Sequence, residues 1–209
     1  MTTEATADTK PGSGTADGGS AFLAKTLDGL GKLLGDDLAA TTEFRGETSV
    51  SVSSPRVRDA LAWLKDHGFD YLIDITTVDH QGEALRFEVV YELYSLAEHI
   101  HLRIKTRIAE EPGEVPTVSD LWPTANWHER EAWDMMGVRF KDHPDLRRIL
   151  MWEGYPFHPL RKEFPLAGQP SEMPDVAFTG VAPLEGGPFV THSGAADTVA
   201  REPRAKGES

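Results

Sequence analysis

The sequence predicts an α+β fold: helices packed on one mixed or largely antiparallel sheet, followed by a long irregular C-terminal arm. Residues 85–94 and 100–108 alternate apolar and polar side chains with the period of a half-buried strand. Because only residues 95–99 separate these segments, we expect them to form an antiparallel hairpin. Segments with helical spacing of apolar residues would supply the helices that pack on the sheet.

The N-terminal part predicts a tail followed by a helix. Residues 1–20 contain almost no large apolar side chain, so we expect this tail to be disordered. The helix that follows has large apolar residues at helical spacing, namely Phe22, Leu23, Leu27, Leu30, Leu33 and Leu34. Gly35 comes directly after them, in the position of a C-cap.

A strand, a helix and a second strand are predicted next. Residues 44–52 have the composition of a strand, and residues 71–78 are the next strand candidate. Ser54 and Pro55 between them are typical of a helix start, with Ser as the N-cap and Pro at the first helical position. The buried side of this helix would consist of Val57, Leu61 and Leu64, and Gly68 would end it.

The third predicted helix spans residues 127–136. Asn126 would cap its N-terminus, Glu129 would occupy the third position of a capping box, and Gly137 would end it.

Residues 166–209 show no helical or strand period and contain five prolines and six glycines. Large apolar residues are nevertheless scattered through them, which is uncommon in a purely disordered tail. We therefore expect an extended arm that forms an interface, and one α+β domain over residues 21–165.

Composition excludes several classes of function. The sequence has 21 Lys and Arg residues against 34 Asp and Glu, a net charge of −13, which disfavours free-standing nucleic-acid binding. It contains no cysteine, which excludes disulfides, a cysteine nucleophile and thiolate ligands for iron–sulfur clusters. No apolar run is long enough to cross a bilayer, and the N-terminus lacks the features of a secretion signal. We expect a protein on the cytosolic side.

Residues 127–165 differ from the rest of the chain. Between residues 120 and 165 there are seven basic and eight acidic residues, so the local charge is −1 while the remainder carries −12. Tryptophan, phenylalanine, tyrosine, arginine and methionine are concentrated here, and most of these residue types anchor protein–protein interfaces.

Three runs in this segment carry a family resemblance. Residues 129–138 read EREAWDMMGV, residues 143–151 read HPDLRRILM, and residues 158–162 read HPLRK. Together they resemble the signature of the 30-kDa (C-type) subunit of proton-pumping NADH:quinone oxidoreductase (respiratory complex I). The resemblance covers about residues 22–190 and is most specific over residues 127–165.

The resemblance implies a structural, non-catalytic subunit of the hydrophilic arm that binds no cofactor itself. NADH, FMN, the iron–sulfur clusters and the quinone would belong to other subunits of a complex that couples NADH oxidation and quinone reduction to proton translocation. The implied partners are mainly the 49-kDa-type (D-type) subunit, and also the B-type and I-type subunits. The implied location is peripheral, on the cytoplasmic face of the cell membrane, with membrane association only through the complex and no nucleic-acid partner.

We expect the site residues to form an interface and a structural charge network. Arg130 and Asp134 are four apart on the helix and could pair, Glu131 or Asp134 could tie down the cluster at 143–148, and His158 is expected to bond within its own turn. The full candidate set is Glu129, Arg130, Glu131, Trp133, Asp134, His143, Asp145, Arg147, Arg148, His158, Arg161 and Lys162.

Other interpretations of these residues stay open at this point. Glu131 and Asp134 could be an acid–base pair, and the 143–148 cluster could bind an anion. His99 and His101 could share a metal ion, and the tryptophans could be stacking platforms. The corresponding functions are a stand-alone hydrolase, an unrelated scaffold, or the equivalent subunit of a hydrogenase-type or ferredoxin-linked complex.

Overall fold

The computed structural model describes residues 16–165, with side chains from residue 18 onward. The predictions for residues 1–15 and for the arm at 166–209 therefore lie outside the described residues. Within the described part, helices and a mixed sheet form the α+β arrangement that the sequence predicts.

The helices are α1 (Ala16–Leu34), α2 (Val57–Asp66) and α3 (Ala125–Met136), and short 3₁₀ turns precede β1 and α2 at Gly35–Asp37 and Ser54–Arg56. The strands are β1 (Leu38–Phe44), β2 (Glu47–Val52), β3 (Tyr71–Asp79), β4 (Phe87–Ser95), β5 (Ile100–Ile108), β6 (Glu114–Pro116) and β7 (Arg139–Lys141).

Five strands form the main sheet, in the order β1-β2-β5-β4-β3. All neighbours are antiparallel except β2 and β5, which are parallel. The predicted hairpin is confirmed, because β4 and β5 pair without a break from Phe87 opposite Ile108 to Ser95 opposite Ile100. The short strands β6 and β7 form a separate parallel pair beside α3.

The core lies on one face of the sheet. Inward residues of the central strands, among them Val89, Tyr91, Leu102 and Ile104, pack with the apolar sides of the three helices. The opposite face carries charged residues in cross-strand pairs, for example Arg103 with Glu92. This division follows from the period of two in β4 and β5.

Two strands replace the single strand predicted at residues 44–52. β1 and β2 form a hairpin whose two-residue turn has positive φ at both Arg45 (53°) and Gly46 (81°), as in a type I′ turn. The prediction was wrong because β1 is an exposed edge strand, so its sequence shows no apolar alternation.

Helix ends also differ from the predictions. α1 begins at Ala16, inside the predicted tail, because its first turns pack on the β4–β5 turn: a Cβ on Gly19 would lie 3.0 Å from Ile100 Cδ1. The α2 region opens with a 3₁₀ turn preceded by Ser53, without a side-chain cap. α3 begins at Ala125, two residues early, also without a side-chain cap.

None of the helices in the described part is both long and apolar enough to span a membrane.

Candidate functional site

The segment at 127–165 folds around helix α3. Gly137, with φ of 81°, ends the helix and leads into β7. The loop after β7 then returns across the C-terminal end of α3. Most of the candidate residues lie on this helix or this loop, so the contacts between the two define the site.

Asp134 is the centre of the first network. Its side chain is 0% exposed, and its Oδ1 accepts a hydrogen bond from Arg148. Its Oδ2 accepts the backbone N–H groups of Ile149 (3.1 Å), Leu150 (2.8 Å) and Met151 (2.8 Å). Burial alone would raise the pKa of Asp134, but these four donors outweigh burial and lower it. Asp134 is therefore an ionised anchor that fixes the loop.

Arg148 joins the helix, the loop and two aromatic rings. Besides the Asp134 carboxylate, its guanidinium donates to the backbone oxygens of Asp134 (3.2 Å) and Tyr155. It lies 5.4 Å from the ring centre of Trp133 and 5.6 Å from that of Tyr155, within cation–π range. The sequence left Glu131 and Asp134 as possible partners, and the structure places Arg148 against Asp134.

The last four carbonyl groups of α3 all accept hydrogen bonds from residues beyond the helix. Such groups have no partner inside a helix and need one elsewhere. Trp133 accepts from Gly137 N (2.8 Å), Asp134 from His158 Nδ1 (3.0 Å), Met135 from Leu160 N (3.1 Å) and Met136 from Arg161 Nε (2.7 Å). The prediction that His158 bonds within its own turn is wrong, because its partner is 24 residues away. Burial lowers the pKa of His158.

Arg130 does not form the predicted pair with Asp134. Its guanidinium instead donates to the backbone oxygens of Arg147 (3.1 Å) and Arg148 (3.0 Å). The helical spacing was suitable, but Asp134 points to Arg148 while Arg130 crosses to the loop carbonyls. A helix-only rule cannot anticipate a loop that returns to the same helix.

Glu129 is the centre of a second buried network and not part of a capping box. Its side chain is fully buried, and its carboxylate accepts hydrogen bonds from Thr117 Oγ1 and from Val118 N (2.7 Å). No Lys or Arg of the described residues pairs with it directly. Burial therefore dominates and raises the pKa of Glu129 to about 7.

His143 lies beside Glu129, with 3.8 Å between His143 Nε2 and Glu129 Oε2. Its Nε2 is 3.2 Å from the backbone oxygen of Asn126, and its Nδ1 is 3.0 Å from Asp145 N. A carbonyl can only accept and an amide N–H can only donate, so Nε2 carries the proton and Nδ1 accepts. Burial lowers the pKa of His143, consistent with a neutral ring.

Three candidates are solvent-exposed. Glu131 lies on the exposed side of α3, and Arg147 pairs with Asp145 at 2.8 Å with their side chains 63% and 57% exposed. An acid–base pair of Glu131 and Asp134 is disfavoured by this geometry, because Asp134 is buried and its oxygens already accept four donors. The 143–148 cluster likewise does not converge on one anion, because Arg148 points inward and Arg147 outward.

A third network, which the sequence did not predict, ties the end of the loop to the β3–β4 hairpin. Arg86 holds Asp79 with two hydrogen bonds of 2.9 Å and also pairs with Glu110 (3.0 Å) and Glu163. Asp79 additionally accepts the backbone N–H of Lys162 (2.9 Å). Hydrogen bonding to Arg86 lowers the pKa of Asp79 against the effect of burial.

Arg161 and Lys162 contribute to this network in different ways. Arg161 lies 5.2 Å from the ring centre of Phe87 and 3.3 Å from Glu110, whereas the Lys162 side chain is exposed. The signal in the sequence was Asp79, a carboxylate at an inward position of an otherwise apolar and Thr-lined strand face. A buried charge at such a position needs a partner.

The alternative sites do not assemble. His99 lies in the β4–β5 turn with φ of 57° and not on the strand face, and its Nδ1 is 3.1 Å from Tyr94 Oη. Among residues 16–165, no group of three or more His, Cys, Asp or Glu side chains could hold a metal ion. Trp122 is buried in the core, whereas Trp127 is 69% exposed.

Large apolar side chains around these networks face solvent. They are Trp127, Ile149, Leu150 and Leu160, which we call the signature surface. Trp127 projects from α3, and the others come from the loop that the Asp134 network and the carbonyls of α3 hold in place. Exposed apolar groups on a rigid frame are typical of a protein–protein contact.

Comparisons with known proteins agree on one family. Residues 50–170 match the family model of the respiratory-chain NADH dehydrogenase 30-kDa subunit. The C-type subunit 2 of the NADH-quinone oxidoreductase of Rhizobium meliloti is 48% identical over 67% of this chain and 78% of its own length. The protein of the same name from Rhizobium etli is 46% identical over 72% of this chain and 82% of its own length.

Solved structures give the same result. A trypsin-resistant fragment of Nqo5 has a TM-score of 0.55 and 31% identity, covering 60% of this chain and 99% of that fragment. A chain of the membrane-bound sulfane sulfur reductase, an archaeal respiratory membrane complex, has a TM-score of 0.62 and 25% identity, covering 72% of this chain and 87% of that one. The resemblance found in the sequence is thus confirmed: the chain belongs to the family of the 30-kDa, C-type subunit of respiratory-chain NADH dehydrogenase.

Proposed function

We propose that this chain is a structural, non-catalytic subunit of an NADH:quinone oxidoreductase and that its signature surface docks on the neighbouring 49-kDa-type subunit. The observation that carries this proposal is the arrangement around α3. Buried ion pairs and hydrogen bonds fix the loop, while Trp127, Ile149, Leu150 and Leu160 remain exposed. An ordered apolar surface gains binding free energy without the cost of ordering a loop.

No redox group is assigned to this chain. Iron–sulfur clusters in proteins are held by cysteine thiolates, and the sequence has none. The two buried carboxylates of α3 accept hydrogen bonds from within the chain. NADH, FMN, clusters and quinone would then be bound by other subunits, and this chain would support the quinone-reducing module of a proton-translocating complex.

The remaining partners follow from the same proposal. The B-type and I-type subunits would be secondary neighbours, and the arm at 166–209 would extend the interface beyond the signature surface. The chain would sit peripherally on the cytoplasmic face of the membrane and be held there by its partners. The names of the curated relatives, which are subunits of NADH-quinone oxidoreductases, support this assignment.

A second candidate is the equivalent subunit of a respiratory complex that does not oxidise NADH. The observation that favours it is the structural likeness to the sulfane sulfur reductase chain, which is 25% identical. The relatives at 46–48% identity favour the NADH-linked complex, because their similarity is closer.

The experiment is mass spectrometry of the proteins that co-purify with the full tagged chain from mildly solubilised native membranes. We expect the flavin-bearing and cluster-bearing subunits of an NADH dehydrogenase, with the 49-kDa-type subunit the most resistant to washing. Subunits of a sulfur reductase or hydrogenase would establish the second candidate. Recovery of the chain alone would contradict both.

A further inference from the structure

A chain of hydroxyl groups connects the buried carboxyl of Glu129 to the surface. Thr117 Oγ1 is hydrogen-bonded to Glu129 Oε2 and lies 2.9 Å from Ser119 Oγ. Ser119 and Thr117 line an open cleft of about 410 Å³, together with Arg58, Asp120, Lys141 and other residues. The carboxyl group is thus two hydroxyls away from solvent although its own side chain is fully buried.

The groups that face Glu129 leave its charge uncompensated. His143 is the closest titratable group, but its ring is neutral because Asn126 O and Asp145 N fix its tautomer. Arg58, on α2, is committed to Asp120 through two hydrogen bonds of 2.8 and 2.7 Å, so the two largely cancel at Glu129. Arg130 acts on His143 as a further positive charge from α3.

Tyr91, from β4, faces the same region. It is fully buried, its hydroxyl has no hydrogen-bond partner among the described residues, and the charge of Glu129 helps to raise its pKa. Its neutral hydroxyl cannot compensate a carboxylate charge. Glu129 therefore meets hydroxyls, an amide and a neutral imidazole, an environment that favours its protonated form.

We propose that Glu129 is a buried proton-binding site that exchanges its proton with the cleft through the Thr117 and Ser119 hydroxyls. On ionisation the carboxyl O–H bond breaks and the proton passes to Thr117 Oγ1. Thr117 passes its own proton to Ser119 Oγ, and Ser119 releases its proton to water in the cleft. The products are a carboxylate and a hydronium ion, and both hydroxyls end with one proton each but with reversed donor direction.

The test is a carbon-13 NMR titration of glutamate side-chain carboxyls in the full chain between pH 4 and 9. We expect one resonance with a midpoint near pH 7, in agreement with the raised pKa of Glu129. The variant Glu129→Gln should lose this resonance, and the matched control Glu131→Gln, exposed on the same helix, should keep it. If every glutamate resonance has its midpoint below pH 5.5, the proposal is overturned.

Two further variants test the relay without removing the carboxyl. Thr117→Val removes a hydrogen bond that favours the ionised form, so the midpoint should rise by about one pH unit. Ser119→Ala interrupts the route to the cleft, so the single moving resonance should broaden or split as proton exchange slows. Unchanged values in both variants would overturn the relay.

Discussion

Two buried carboxylates five positions apart on α3 behave differently because of their neighbours. Asp134 meets a guanidinium and three backbone N–H groups, and its pKa is lowered. Glu129 meets one hydroxyl and one N–H, and its pKa is raised to about 7. Burial acts against the charge in both cases, so the number and charge of the donors decide the outcome.

The first prediction concerns Asp134. Asp134→Asn leaves the buried Arg148 without a charged partner, which should lower the free energy of unfolding by about 3–5 kcal/mol. Glu131→Gln should change it by no more than about 0.5 kcal/mol, because that side chain is exposed. Urea unfolding of the full chain at pH 7 measures both. Equal, small effects would contradict the assignment of Asp134 as the loop anchor.

Arg148 and Arg147 form a matched pair for the second prediction. Arg148→Lys keeps the charge but loses the planar group that reaches two carbonyls, a carboxylate and two rings, so we expect a loss of about 1–3 kcal/mol. Arg147→Lys should be nearly neutral in the isolated chain, since its pair with Asp145 is exposed. Thermal unfolding compares the two, and a larger effect at Arg147 would refute the described geometry.

The third prediction is the pH dependence that Glu129 imposes on stability. Its pKa is higher in the folded chain (about 7) than its ordinary value of 4.5, so the folded state binds more protons between these values. The free energy of unfolding contributed by this group should therefore be fully retained below pH 4.5 and fall by about 3 kcal/mol as the pH rises through 7. Urea unfolding at pH 5 and pH 8 should show this decrease in the wild type but not in Glu129→Gln. The same slope in both proteins would show that another group is responsible.

At the scale of elements, the C-terminal end of α3 depends on a glycine. Gly137 has φ of 81°, and a Cβ there would lie 2.6 Å from Arg161 Nη2 and 2.7 Å from His158 Nε2. The positive φ and the close approach both require the absence of a side chain.

The fourth prediction compares two glycines. Gly137→Ala should cost about 2 kcal/mol or more, because about 1–2 kcal/mol of backbone strain adds to the displacement of Arg161 and His158. Gly31→Ala, at an open position inside α1, should stabilise the chain by about 0.5–1 kcal/mol. Differential scanning calorimetry of both variants tests this, and a stable Gly137→Ala protein would contradict the packing of the loop on the helix.

Elements were predictable where one side of the chain is buried. β4, β5 and the apolar side of α2 follow the expected periods closely because burial selects residues at those positions. β1 was not predictable, since every residue after Leu38 is exposed and hydrogen bonding to β2 alone defines it.

The membership of the site was easier to predict than its pairings. The sequence pointed to Asp134, Arg148 and His158, yet it suggested local partners for Arg130 and His158. The actual partners come from a loop of irregular backbone, for which no periodic rule exists. The Asp79–Arg86 network was missed because its closing residues, Glu163 and Lys162, are far away in the sequence.

At the scale of the whole molecule, the chain separates a core domain from a surface suited to assembly. Charged pairs cover the open face of the sheet, whereas the family signature builds rigid networks that end in exposed apolar side chains. This division supports the proposed role as a structural subunit, because the stability of the domain and contact with a partner depend on different residues.

The most direct test of the central proposal is the amount of complex that assembles when the signature surface is altered in the native organism. Leu150→Ser should leave the isolated chain folded, since Leu150 is 61% exposed, but reduce its co-purification with the 49-kDa-type subunit by tenfold or more. Val78→Ser, at an exposed apolar position on β3, is the matched control and should assemble normally. Complex that does form should retain normal turnover per assembled particle. Full assembly of the Leu150→Ser variant, or normal assembly with lost turnover, would contradict the account.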